Sequence, residues 1–359
     1  MIHVVIGTKA QLIKMAPILK ALNEKGMAYR FISTGQHRET MSDILENFGL
    51  REPDYRLYQG KDIASIPAVA LWMGKILWQT LFQRKAIFGE DRKGIVLVHG
   101  DTFSTLLGAL MAKLASLKVG HVESGLRSFN LLHPFPEEIT RVMTFCLADY
   151  FFCPGQWALR NVSGHRGEKI DTLGNTLADA LQLALASQAG MPHTIPSRAF
   201  AVVNLHRFEN IYSRAALQRV VGIVERISQS RHLLFILHKP TERKLRAFGL
   251  YQRLAELPNV EFRPRCDYFS FTKLIAAAEF VVSDGGSNQE ECFYLGKPIL
   301  LLRKATERPE GLAENCVLSR YDIAVVDQFV ANVQSYCRPA HQQQRPPSEI
   351  IVDACAEFA

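Results

Sequence analysis

The sequence predicts an α/β protein of two parallel-sheet domains, and three observations predict it. Short β-branched runs alternate with helix-like segments along nearly the whole chain, the pattern of a parallel sheet covered by helices. These runs fall into two series of similar length on either side of a polar, proline-containing stretch. Two neighbouring runs of the first series end in acidic residues, at the edge where open parallel sheets hold their ligands. The architecture implied is two Rossmann-like halves with a central cleft.

The first series comprises residues 2–6, 28–33, 95–99, 119–122 and 149–153, and the second 199–203, 233–237, 259–262, 280–283 and 298–302. The opening Met1-Ile-His-Val-Val-Ile6 reads as a strand and lacks the basic start and long apolar core of a signal peptide. Gly7-Thr-Lys-Ala-Gln-Leu-Ile-Lys14 follows it and opens a helix. A glycine turn before a helix N-terminus offers backbone N–H groups to phosphate, and Lys9 and Lys14 add charge. Leu106–Leu117 reads as a helix between two strands, giving a β-α-β unit. Gly174-Asn-Thr176 and residues 188–197 read as the linker. The expected division is therefore 1–172, 173–335, and a tail at 336–359 whose stretch from Cys337 to Pro347 is a loop before a short last helix.

Residues 71–88 carry two of the three tryptophans. On a helix, Lys75, Gln79 and Gln83 make a narrow polar stripe, leaving a broad apolar face with Trp72, Trp78, Leu81 and Phe82, closed by Arg84 and Lys85. A core helix over the first sheet and an in-plane helix on an anionic membrane surface both fit that pattern.

Composition narrows the function classes. A 48% hydrophobic and 21% charged chain of 359 residues is long enough for two ordinary globular domains. Seven scattered cysteines without a C-x-x-C pair argue against a disulfide framework or zinc site and for a reducing cytoplasm. No apolar run reaches the roughly 18–20 residues that span a bilayer. The net charge of +7 suits phosphorylated ligands, acidic lipid or nucleic acid, but no nucleic-acid-binding signature accompanies it.

Chemistry concentrates in three acidic loops: Asp101 in Val-His-Gly-Asp-Thr, Glu123 in His-Val-Glu-Ser-Gly-Leu-Arg and Glu137 in His-Pro-Phe-Pro-Glu-Glu. Carboxylates gathered at one sheet edge raise one another's pKa and suit proton transfer. In the second half, Ser283-Asp-Gly-Gly-Ser-Asn-Gln-Glu-Glu291 lets backbone approach a pyrophosphate just before a helix that starts near Asn288. The expected contacts with such a diphosphate are Gly285, Gly286 and Ser287.

Together these residues resemble the UDP-N-acetylglucosamine 2-epimerase family, which is similar in fold to GT-B glycosyltransferases. The resemblance runs from about residue 2 to 315. It rests on Gly7-Thr8 with Ile13-Lys-Met-Ala-Pro17, Gln36-His-Arg-Glu39, His99-Gly-Asp-Thr102, Gly120-His-Val-Glu123 with Gly125-Leu-Arg127, and Pro136-Glu-Glu138 with Arg141. Further along it rests on Gly174-Asn-Thr176 with Asp179-Ala180, His206-Arg207 with Glu209, Gln289-Glu-Glu291 with Leu295-Gly-Lys-Pro298, and Thr306-Glu-Arg-Pro-Glu310. The resemblance implies a reaction without metal or nicotinamide, in which a base removes the C2 proton, UDP leaves C1, and UDP or water adds to the glucal. It implies Asp101, Glu123 and Glu137 as acid/base carboxylates, with His206 serving the departing phosphate or proton transfer. Arg127 and Arg141 are expected to set carboxylate protonation and position, and they join Lys9, Lys14, His238, Arg308 and, on the UDP ribose, Glu291 as expected substrate contacts. A homodimer is the expected assembly.

Departures from the family pattern keep alternatives open. Lys9-Ala10-Gln11 stands where the family has Arg-Pro-Glu, and lysine gives phosphate only a point charge where arginine grips it bidentately. The usual Asp-Ser-Gly-Gly-Ile-Gln-Glu-Glu becomes Asp284-Gly-Gly-Ser-Asn-Gln-Glu-Glu291, and Phe208 replaces the second arginine of His-Arg-Arg-Glu, which leaves any second, allosteric UDP-sugar site in question. The leading expectation is a UDP-N-acetylhexosamine 2-epimerase of surface polysaccharide synthesis. The alternatives are a GT-B glycosyltransferase with a lipid-linked acceptor at the inner membrane face and a non-catalytic sugar-nucleotide sensor.

Overall fold

In the computed structural model, which describes residues 1–36, 41–60, 63, 66–131, 135–188 and 195–359, the apolar runs become buried parallel strands. The first sheet holds β1 (Ile2–Ile6), β2 (Tyr29–Ser33), β3 (Tyr55–Arg56), β4 (Ile95–His99), β5 (Lys118–Val122), β6 (Tyr150–Cys153) and β7 (Glu168–Asp171). Their order is β3-β2-β1-β4-β5-β6-β7 among the described residues. The second holds β8 (Ala201–Asn204), β9 (Leu233–Leu237), β10 (Val260–Pro264), β11 (Phe280–Ser283), β12 (Ile299–Leu301) and β13 (Cys316–Leu318) in the order β10-β9-β8-β11-β12-β13.

Both sheets reverse direction of growth once, between β1 and β4 and between β8 and β11. Such a reversal opens a crevice beyond the carboxyl ends of the two central strands. Every residue of β1, β4, β8 and β11 is buried, as expected where helices cover both faces of a parallel sheet. The outer strands β3, β7 and β13 were not among the sequence-predicted strands. Two residues long in β3, and reading Glu-Lys-Ile-Asp in β7, they sit at sheet edges, where neighbours do not demand an apolar run.

The chain divides into Met1–Leu183 with Gln343–Ala359, and Ala184–Gln342. The division falls beyond the expected 172 because helix Leu177–Ala186 buries Leu177, Ala180 and Leu181. The final residues are not a free tail. Helix Pro347–Ala354 buries Ile351 and Val352, packs on helix Lys9–Glu24, and has its N-terminus capped by Asp179, whose Oδ2 accepts from the Ser348 N–H at 2.7 Å. Of the expected linker, residues 189–194 lie outside the described residues, as do His37, Arg38 and Glu39 of the Gln36 motif and His133 and Pro134 before Glu137.

The tryptophan-rich segment is two helices, Ile66–Phe82 and Arg84–Phe88, and its expected face is corrected. Trp72 and Trp78, six positions apart, project in different directions. Val69, Trp72 and Ile76 are buried in the core over the first sheet, and Trp72 Nε1 donates to Thr34 O. The other side exposes Leu71 (77%), Trp78 (61%), Leu81 (57%) and Phe82 (70%). Among the described residues no helix is long and apolar enough to cross a membrane.

Candidate active site

The loops after β4 and β5 are built to meet. These strands pair with His99 opposite Val122, so Asp101 and Glu123 leave the same edge side by side. Buried His121 bridges the two loops: its Nε2 lies 2.7 Å from Gly100 O and its Nδ1 3.1 Å from Ser124 Oγ. Burial pushes its pKa down to about 4, so the ring is neutral, with Nε2–H donating to the carbonyl and Nδ1 accepting from the hydroxyl. Gly100 is held at φ +67°, and a Cβ there would sit 3.3 Å from Glu123 Oε2.

Glu123 itself adopts φ 59°, a left-handed conformation that costs a non-glycine residue on the order of 1 kcal/mol. The strain is offset by what the turn allows. Lys14 Nζ lies 2.5 Å from Glu123 Oε1, Asn175 Nδ2 donates to the same oxygen at 2.6 Å, and His99 Nε2 stands 3.5 Å from Oε2. Lys14 therefore places its ammonium on a carboxylate of the site, where the sequence suggested phosphate. Lys9 begins the same helix, half-buried.

Asp101 is held from helix Glu137–Leu147. Arg141 Nε and Nη2 both bind Asp101 Oδ2, at 2.9 and 2.5 Å, while Nη1 reaches Glu138 Oε2 at 3.1 Å. Thr140 Oγ1 donates to Asp101 O. The same hydroxyl lies 2.9 Å from Glu137 O, so the helix start that carries Glu137 sits beside the Asp101 loop. Glu138 is fully buried; burial pushes its carboxyl up, but Arg127, the Ser128 N–H and Arg141 outweigh that and hold it below the usual range. Arg127 and Arg141 are thus both bound to carboxylates.

The two glycine turns differ in what caps the following helix. At Gly7, the Gln11 Oε1 takes up the N–H groups of Gly7 and Thr8 at 2.9 and 3.1 Å, Thr8 Oγ1 takes that of Gln11, and Gln11 Nε2 donates to His99 O at 2.8 Å. The capping box consumes the donors a phosphate would use. Gly7 is required instead by packing, since a Cβ would lie 1.9 Å from Ser104 Oγ.

Helix Gly286–Leu295 has no side-chain cap, and its N-terminus retains the anion-binding character of such ends. Ser287 is exposed at its start. A Cβ on Gly285 would stand 3.0 Å from Asn288 Oδ1 and 3.1 Å from His206 Cε1, and one on Gly286 would stand 3.3 Å from Arg308 Nε. Arg308 Nη1 pairs with buried Glu290 Oε2 at 2.9 Å. Buried Asp284 ties this turn to the loop after β8, accepting from the N–H groups of His206 and Arg207, both at 3.0 Å. His206 keeps 43% of its side chain exposed, with Nδ1 3.6 Å from Asp284 Oδ1. Burial, opposed by Asp284, leaves its pKa below the ordinary value. The His238 ring lies 5.0 Å from it, and Glu291 accepts from Asn288 Nδ2 at 2.7 Å.

In the first unit the structure gathers Asp101, Glu123, Glu137, Lys14, Arg127 and Arg141; in the second it gathers His206, His238, Gly285, Gly286, Ser287, Glu291 and Arg308. Sequence reasoning missed His99, His121, Asn175, Glu138, Asn204, Asp284 and Asn288 as site builders. Their shared signal is a polar residue within a residue or two of a strand's carboxyl end or in a motif segment. Among the described residues no group of three or more His, Cys, Asp or Glu is placed to hold a metal ion.

Comparison with known proteins agrees with this arrangement. The family model described as UDP-N-acetylglucosamine 2-epimerase matches residues 20–347. The UDP-N-acetylglucosamine 2-epimerase of Methanococcus maripaludis is 32% identical over 327 residues, covering 88% of this chain and 86% of that protein. The crystal structure of the Methanocaldococcus jannaschii UDP-GlcNAc 2-epimerase in complex with UDP-GlcNAc and UDP superposes with a TM-score of 0.80 at 26% identity, covering 99% of each chain. That of the Neisseria meningitidis enzyme bound to UDP-GlcNAc gives 0.82 at 26% identity, again over 99% of each chain. With two doubly wound parallel sheets, acidic loops at the switch point of one and an uncapped glycine turn at that of the other, this chain belongs to the UDP-N-acetylglucosamine 2-epimerase family.

Proposed function

We propose that the chain interconverts UDP-N-acetylglucosamine and UDP-N-acetylmannosamine, supplying surface polysaccharide synthesis. One observation carries the reading. Asp101 and Glu123 close adjacent strands at the switch point of the first sheet, each on its own cation, with Glu137 on the helix that holds Asp101. A transferase that only moves a sugar has no use for deprotonating C2, and the relatives and solved structures named above are epimerases. Both points favour epimerisation over the transferase alternative.

A carboxylate of this set takes the C2 proton, and the C1–O bond breaks with its electron pair going to the UDP β-phosphate. The C1–C2 double bond so formed is the glucal. UDP returns to C1 and a carboxylic acid delivers a proton to the opposite face of C2. UDP returns to the carbon it left and C2 regains a proton on its other face, with no change in oxidation state, so no redox partner enters the balance. The open helix end at Gly286 and Ser287 receives the diphosphate, Glu291 the ribose, and His206 the charge of the leaving phosphate. In D₂O the product should carry deuterium at C2, read by NMR; turnover without deuterium would remove the carboxylates from this role.

The exposed stripe of helix Ile66–Phe82 supports a homodimer. Leu71, Trp78, Leu81 and Phe82 form an apolar strip, and a Cβ added to Gly74 within it would meet nothing inside 4 Å. A smooth helix face with a glycine near its middle suits close packing on its own copy about a twofold axis. Sedimentation of Trp78→Asp/Phe82→Asp should give monomer where wild type gives dimer. A monomeric wild type that floats with anionic liposomes would instead assign the strip to a membrane surface.

A further inference from the structure

The carboxyl edge of the second sheet carries a line of buried side-chain amides that neither the acid/base chemistry nor the diphosphate contacts require. Asn204 ends β8, Ser283 ends β11, His238 follows β9, and Asn288 and Glu291 lie on the helix after β11. Adjacent strands bring them together, with Asn204 opposite both Ile236 and Ser283. Asn204 and Asn288 are each 4% exposed and Glu291 5%.

Its direction is fixed from one end. As an ionised carboxylate Glu291 only accepts, so Asn288, 2.7 Å from its Oε2, presents Nδ2. Asn288 Oδ1 then faces Asn204, which must present its own Nδ2, at 2.7 Å. That turns Asn204 Oδ1 toward His238, whose Nε2 stands 2.7 Å away and must carry the proton. Ser283 Oγ, 2.7 Å from Asn288 Oδ1 and 2.9 Å from Asn204 O, braces the middle. Each amide offers one donor and one acceptor along the line, so reversing Asn204 breaks its bonds to Asn288 and His238, and reversing Asn288 breaks those to Glu291, Asn204 and Ser283.

We propose that Asn204 and Asn288 are positioning residues of the nucleotide site, holding His238 with its proton on Nε2 and the Glu291 carboxylate in a set rotamer for a nucleoside diphosphate. The proposal rests on the assignment of Glu291 to the ribose. A fixed carboxylate meets the diol without first losing rotamer freedom, and a neutral His238 so held keeps Nδ1 as an acceptor. Ribose binding and the histidine are then ends of one hydrogen-bonded unit.

The test uses the full chain labelled with ¹⁵N-histidine, read by long-range proton–nitrogen correlation, together with UDP calorimetry. Wild type without nucleotide should show neutral His238 as the Nε2–H tautomer. A neutral Nδ1–H tautomer overturns the proposal with no substitution needed. Asn288→Ile removes the amide that fixes Asn204 on this side and frees the Asn204 amide to flip. It should mix the His238 tautomers and weaken UDP binding about 10-fold, the usual scale for a lost hydrogen bond to a charged group. Asn204→Asp removes the donor toward Asn288 while keeping the acceptor toward His238; it should leave the tautomer unchanged and still weaken UDP. A folded Asn288→Ile variant with wild-type tautomer and wild-type affinity refutes the relay. Failure of the wild-type chain to bind UDP at all would refute the nucleotide assignment, and the tautomer measured without ligand distinguishes that result.

Discussion

Glu123→Gln should damage stability and activity by separable routes. The Lys14–Glu123 pair is enclosed, with side chains 5% and 8% exposed. Removing one partner of such a pair strands the other charge, at a cost of about 3–5 kcal/mol. The Gln oxygen can still accept from Asn175, which now reaches Oε1 at 2.6 Å, so that bond survives and the loss falls on Lys14. Part of the ammonium's interaction also persists with the amide oxygen, which places the expected destabilisation near about 3 kcal/mol. Adding Lys14→Met removes the stranded charge and fills its space with a side chain of similar length. The double variant should recover about 2 kcal/mol, while both variants lose at least about 100-fold in turnover, the scale of a missing acid or base. Urea unfolding followed by tryptophan fluorescence reads the first quantity, and deuterium incorporation at C2 reads the second. A double variant no more stable than Glu123→Gln would refute the stranded-charge account. Turnover surviving in either variant would refute the catalytic one.

Three further outcomes follow from named contacts. Gln11→Glu sets a carboxylate against His99 O, which now accepts from Gln11 Nε2; it should destabilise the chain by about 1–3 kcal/mol in chemical denaturation. Gly285→Ala forces a methyl within 3.0 Å of Asn288 Oδ1 and should weaken UDP binding more than Gly286→Ala, whose nearest neighbour is the flexible Arg308 side chain at 3.3 Å; calorimetry on both decides the order. Burial raises Asp179 from 3.8 to about 6, against the Ser348 hydrogen bonds that lower it. The folded chain thus holds this proton more tightly than the unfolded one, so this group's contribution to stability is highest below the unfolded value and declines as pH rises from about 4 to 6. Asp179→Asn should flatten that decline when denaturation midpoints are compared at pH 4.5 and 7.

What could be read in the sequence follows from how many sides of a residue its neighbours constrain. Central strands such as β1, β4, β8 and β11 are covered on both faces, so they advertise themselves as unbroken apolar runs; edge strands β3 and β7 do not. Asp101 and Glu123 were legible because a strand end fixes where the next side chain goes. The Gly7 turn shows the limit. Its glycine and following helix look like an anion site, yet Gln11 turns back and occupies the donors, and only the fold reveals that a side chain four positions on can reach them. Tertiary partners also decided the helix of residues 66–82. Periodicity identified a wide apolar face, but not that Trp72 would enter the core while Trp78 remained outside. The same reasoning explains why Asn204 and Asn288 were overlooked. An asparagine in a motif reads as a turn residue, and its role appears only when adjacent strands set its donor against one neighbour and its acceptor against another. Polar residues at the carboxyl ends of central strands are therefore the positions where this fold places what the one-dimensional pattern cannot express.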